Sequence, residues 1–111
     1  AEEKAEAVRQ FSFLDRTLFE RRTLTLFGEI DTDVAQRTTE KLLALAYASD
    51  DPITLYLGSP GGHVESGDTI FDMIRFIRPE VRIVGTGWVG SAATHIYLSV
   101  DRAQRFCLPN T

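Results

Sequence analysis

The sequence predicts an α/β fold with a mainly parallel sheet. Three runs rich in β-forming residues lie far apart along the chain, each closed by a glycine, and helical periodicity fills the intervals between them. Strands that alternate with helices are joined as βαβ units with right-handed crossovers. At 111 residues the chain has room for one such domain.

The N-terminal segment, residues 1–12, reads as an arm. Ala1 to Gln10 is charged and Ala-rich, and is either helical or mobile. Phe11, Phe13, Leu14, Leu18 and Phe19 then recur at spacings that suit a short amphipathic helix docked on the body or on a neighbouring subunit. Thr23 to Phe27 alternates as a first strand and ends at Gly28. Asp31 or Thr32 caps a helix whose apolar side includes Val34, Leu42, Leu45 and Ala46, stopped by Asp50-Asp51-Pro52. Ile53 to Leu57 is the second strand. Ile70, Phe71, Ile74 and Ile77 mark the second helix, ended by Pro79, and Val81 to Val84 is the third strand. A third helix starts near Ser91 and presents Ile96, Leu98 and Val100; Arg105 to Leu108 is a fourth strand.

Composition narrows the function. Twelve Lys and Arg against sixteen Asp and Glu give a net charge of −4. That excludes a general nucleic-acid binder, which needs a basic face to displace counterions. No apolar run approaches the roughly 20 residues of a membrane span. The lone Cys107 cannot pair within the chain and fits a reducing compartment, so a soluble, cytoplasmic protein is expected. Both ends read as cut, at Ala1 and after Leu108-Pro109-Asn110-Thr111.

Two glycine loops follow strands, where parallel sheets gather their chemistry. Gly85, Gly87 and Gly90 satisfy G-x-G-x-x-G, but the acidic residue that should end the next strand is missing, so a dinucleotide is not expected. No G-K-[S/T] follows either loop, which excludes a P-loop. Ser91 opens a helix after a Gly-rich bend. It either caps that helix, the commonest job of such a serine, or presents a nucleophilic hydroxyl at a spot where the backbone N–H of Ala92 and one from the Gly-Gly pair at 61–62 can serve as oxyanion donors.

Ser59-Pro60-Gly61-Gly62, Gly67, Phe76-Ile77-Arg78-Pro79, Gly87 to Ser91 and Arg105 to Asn110 together resemble the proteolytic subunit of the Clp protease (ClpP) family. Leu24 to Ile30 is similar to its first strand, and the resemblance runs in register over residues 13–111. It implies a serine endopeptidase on a crotonase-like fold, with Ser91 as nucleophile, Gly62 and Ala92 as oxyanion-hole donors, and neither cofactor nor metal. Gly58, Ser59, Pro60, Gly61, His63 and Val64 would hold an extended substrate by main-chain pairing. Tyr56, Phe76 and Phe106 match positions of a docking pocket for an AAA+ Clp unfoldase, with core packing as the competing role. The resemblance further implies stacked heptameric rings that degrade unfolded proteins.

The family's His and Asp would lie beyond Thr111, so these 111 residues alone are expected to be inactive. His95, four residues after Ser91, has no evident orienting carboxylate and reads as packing; His63 reads as a loop residue. Gly58, Gly90 and Ala92 stand where the family commonly has Asn, Ala and Met, which suggests a divergent paralogue. A non-catalytic ring subunit and a crotonase-like acyl-CoA enzyme are the alternatives. Trp88, beside Ser91, reads as core ahead of a pocket wall, and Cys107 as a buried strand residue. Glu29, Asp31 and Asp33 read as cap and dipole partners, and Arg21, Arg22, Arg78 and Arg82 as ion pairs or solvated groups.

Overall fold

The computed structural model describes residues 2–111. Four parallel strands, β1 (Thr23–Phe27), β2 (Ile53–Ser59), β3 (Val81–Val89) and β4 (Arg105–Cys107), form one sheet in the order β1-β2-β3-β4. Helices α2 (Thr32–Ala48) and α3 (Val64–Phe76) are the crossovers, and the short α4 (Ala92–Tyr97) follows β3. The expected α/β class is what the chain adopts. An N-terminal helix, α1 (Glu2–Glu20), is continuous through the point where the arm was expected to give way to the body. Ala1 and the Phe11 side chain lie outside the described residues.

Strand alternation sorts the side chains. Leu24, Leu26, Ile53, Leu55, Leu57, Val81 and Ile83 point into the core, against Leu42 and Leu45 of α2, Ile70 and Ile74 of α3 and Ile96 of α4. The opposite face of the sheet carries Thr25, Tyr56, Val84 and Phe106 in one row, each opposite the next in register.

Both ends of α2 have a chemical cause. The Asp31 carboxylate accepts from the Val34 N–H at 2.8 Å and so caps α2. At the other end of α2 stands Arg22, not solvated or ion-paired as expected. Its guanidinium donates to the carbonyls of Leu45 and Ser49, both at 2.9 Å, and to that of Asp51 at 2.8 and 3.1 Å. These are carbonyls at the end of α2 and in the loop beyond it. To aim the side chain there, Arg22 adopts a left-handed backbone with φ of 50°. Arg82 pairs with Glu80 at 3.4 Å on the surface.

Two boundaries differ from expectation. β3 runs to Val89, well past Val84, because β2 advances two residues from Leu57 to Ser59 while β3 advances four from Gly85 to Val89. The surplus bulges out and re-aims the end of β3. Helix α4 stops at Tyr97, and Leu98 is exposed while Val100 is buried beyond the helix end.

Candidate active site

The carboxyl ends of β1, β2 and β3 converge on one place. After β2 the chain turns through Pro60, Gly61 and Gly62, and Ile30 holds that turn from the side of β1. The Ile30 N–H donates to the Gly61 carbonyl at 2.9 Å, and the His63 N–H donates to the Ile30 carbonyl at 2.8 Å. Gly61 and Gly62 have φ of 107° and 152°, and neither tolerates a side chain. A Cβ on Gly62 would fall 2.2 Å from the Ile30 carbonyl oxygen. A Cβ on Gly61 would fall 2.6 Å from Ser91 Cβ and 3.0 Å from the Ala92 nitrogen. The turn therefore lies directly against Ser91 and the Ala92 amide.

Ser91 sits between β3 and α4 with φ of 51° and ψ of −125°. That combination is strained for any residue with a Cβ, and it resembles the sharp strand-to-helix turn that exposes nucleophilic serines on other α/β folds. The side chain is exposed and makes no capping hydrogen bond to α4. The ordinary capping role is thus not the one this serine plays. Among the described residues, neither the Gly62 nor the Ala92 N–H donates a hydrogen bond. The arrangement combines a free hydroxyl on a strained turn with two uncommitted amides on loops in contact with each other.

The remaining groove positions divide. Pro60, Gly62, His63 and Val64 are exposed, but Ser59 and Gly61 are buried, so these two cannot line a groove as expected. The Ser59 hydroxyl instead donates to the Gly28 carbonyl at 2.6 Å and accepts from the Gly61 N–H at 3.0 Å. Gly58 packs under Phe27, whose ring would lie 2.7 Å from a Cβ there.

Both histidines are engaged. His63 caps α3, its Nδ1 accepting from the Ser66 N–H at 3.3 Å and lying 2.8 Å from the Ser66 hydroxyl. His95 has the carboxylate partner that its sequence context hid: Nε2 is 3.1 Å from Asp68 of α3, and the ring stacks on Phe71 at 4.3 Å. Its packing role is what the geometry gives.

Trp88 and Cys107 are corrections. Trp88 is 72% exposed, since the β3 bulge carries it out of the core. Its indole covers Gly90: a Cβ there would lie 2.6 Å from Trp88 Nε1. The glycine at 90 makes room for the tryptophan at 88. Cys107 is exposed on the edge strand. Tyr56 and Phe106 are exposed on the open sheet face, in one register row with Val84 between them. Phe76 is exposed too, but it ends α3 in the helical layer, so the structure does not gather all three.

A parallel α/β scaffold that presents a strained serine against a Gly-Gly turn is the architecture of a ClpP-like peptidase fold. A family model for the Clp protease matches residues 4–111, and the chain belongs to that family. It is 50% identical over 97 residues to the ATP-dependent Clp protease proteolytic subunit 3 of Rhizobium etli, covering 87% of this chain and 50% of the relative. The ATP-dependent Clp protease proteolytic subunit of Paracoccus denitrificans is 53% identical over 91 residues, covering 82% of this chain and 46% of that protein. ClpP1 from Listeria monocytogenes superposes with a TM-score of 0.86 at 51% identity, over 88% of this chain and 58% of that structure. The chain spans about half the length of the curated relatives it matches. Among the described residues no helix is long and apolar enough to cross a membrane.

Proposed function

We propose that this chain carries the nucleophile and oxyanion hole of a Clp-type serine endopeptidase subunit. The observation that carries the reading is Ser91, held at φ of 51° with its hydroxyl free of any cap, beside the uncommitted amides of Gly62 and Ala92. The Ser91 Oγ attacks the scissile carbonyl, its proton passing to a general base. The carbonyl oxygen takes up negative charge and accepts hydrogen bonds from the two backbone N–H groups, which need no reorganisation as charge develops. Collapse of the tetrahedral intermediate expels the amine and leaves an acyl group on Ser91, which water then removes.

The base is assigned to neither histidine here: among the described residues the Ser91 hydroxyl makes no hydrogen bond to His95, although Asp68 orients that ring against Phe71, and His63 Nδ1 serves α3. It is the His that the family resemblance places beyond Thr111, oriented by an Asp. An extended, unfolded polypeptide pairs along the exposed Gly62–Val64 segment with main-chain groups other than those of His63, whose N–H and carbonyl are bonded to Ile30 and Gly67, a mode that discriminates little between side chains. Enclosure in stacked heptameric rings and feeding by an AAA+ unfoldase then supply selectivity, in a cytoplasmic setting, with Tyr56 and Phe106 on the docking face.

A fluorophosphonate tests the reading. In the protein as expressed from its own gene, it should label Ser91 and release of a fluorogenic peptide should stop. The Ser91→Ala variant should neither label nor turn over. Labelling that survives Ser91→Ala would refute the assignment, and retention on immobilised CoA would favour the acyl-CoA alternative.

A further inference from the structure

The two loops of the site are joined at one buried side chain. Ser59 is 0% exposed, the last residue of β2, and polar in an otherwise apolar layer. Its hydroxyl has two partners on different segments: it donates to the Gly28 carbonyl past the end of β1 and accepts from the Gly61 N–H in the glycine turn. Its own backbone carbonyl accepts from the Gly90 N–H at 3.0 Å, one residue before Ser91. Ser59 is thus bonded to the ends of all three strands that build the site.

A hydroxyl is suited to this position. It donates and accepts through a single small atom, which neither an alanine nor an amide of greater bulk can do. Removing it leaves the buried Gly61 N–H without a partner and releases the Gly28 carbonyl from the end of β2. The consequence passes directly to the chemistry, because Gly61 rests on Ser91 and Ala92. A strained serine whose hydroxyl is unbonded keeps its conformation only while its neighbours hold it.

We infer that Ser59 is a positioning residue, setting the distance between the Gly62 amide and the Ser91 hydroxyl by fastening both loops to one point. This rests on the serine-peptidase reading above. It differs from a purely structural role in what it predicts: the ground-state complex is little affected, while stabilisation of the tetrahedral state is lost.

The test takes the protein as expressed from its own gene and compares the unmodified form with Ser59→Ala and with Leu42→Val, a core change in α2 remote from the site. Steady-state constants on a fluorogenic peptide, inhibition by a peptide boronic acid and the melting temperature are measured for each. A boronate adduct on serine places an oxygen in the oxyanion hole, so its affinity reports that hole. For Ser59→Ala, kcat should fall about 10- to 100-fold with KM within about twofold, and the boronate inhibition constant should rise in parallel. Leu42→Val should lower the melting temperature with kcat unchanged. Should Ser59→Ala not fold, Ser59→Cys keeps a similar volume with weaker bonds and should show a smaller change in the same direction. Unchanged kcat, or a boronate constant that does not move, overturns the inference. No Ser91-dependent turnover in the unmodified protein overturns the peptidase reading itself, and the two failures are read on different proteins.

Discussion

Replacing Ser91 by alanine and by glycine separates the two jobs a serine can do at the start of a helix. A capping serine loses about 1 kcal/mol on conversion to alanine, because a helix N–H loses its acceptor. Ser91 makes no such bond, so Ser91→Ala should leave stability within about 0.5 kcal/mol of the parent. Glycine acts on the backbone instead. Holding a residue with a Cβ at φ of 51° and ψ of −125° is strained. Such strain costs on the order of 1–3 kcal/mol, against about 0.5–1 kcal/mol for the extra freedom glycine brings to the unfolded chain. Ser91→Gly should therefore be more stable than either parent or alanine variant by about 1 kcal/mol, a rise of about 3 °C in melting temperature. Both variants should lose all fluorophosphonate labelling. Guanidinium titrations of the three proteins under one condition measure the order. A loss of about 1 kcal/mol in Ser91→Ala, with no gain in Ser91→Gly, would show that the hydroxyl caps α4 after all and that the turn is relaxed.

Two further outcomes follow from side chains outside the site. Arg22→Ala removes donors to the carbonyls of Leu45, Ser49 and Asp51 while keeping the left-handed backbone, and should cost about 2–3 kcal/mol. Arg22→Gly should recover about 1 kcal/mol of that, and denaturant midpoints that place the glycine variant below the alanine one would contradict the account. Tyr97 donates its hydroxyl to the Phe106 carbonyl at 3.0 Å. Its pKa lies above the ordinary 10.0, raised first by burial and then by Cys107, with Arg105 opposing. The unfolded chain thus ionises first: the contribution is complete below pH 10.0 and disappears as pH rises through the folded value. Midpoints measured across that range should slope downward in the parent and flatten in Tyr97→Phe; parallel profiles would refute it.

Legibility in the sequence followed the range of the interactions. The strands, the crossovers and the Asp31 cap depend on neighbours in the chain, and periodicity exposes them. Ser91 was visible as a residue after a Gly-rich bend, but its choice between cap and free hydroxyl is a matter of φ and ψ, which composition does not encode. Ser59 was read as a groove residue through the family resemblance; that its hydroxyl is buried against Gly28, thirty-one positions back, depends on the β1–β2 pairing. Arg22 and the His95–Asp68 pair were missed for the same reason, since their partners lie across the fold. Trp88 was misplaced because the bulge that expels it arises from unequal advance of two strands, a property of neither strand alone.

The sheet order has a consequence for the life of the chain before it is folded. Gly28, Gly61 and Ser91 stand at the ends of three different parallel strands, and each neighbouring pair is separated by a complete helical crossover. Parallel pairing of this kind closes long loops before it is rewarded, so it comes late on the folding path. No shorter piece of the sequence brings the serine to the glycine turn. A chain emerging during synthesis accordingly does not bring Ser91 against the Gly61–Gly62 turn until β3 has docked on β2, so the proposed nucleophile and its proposed oxyanion donors stay apart while the chain is unfinished.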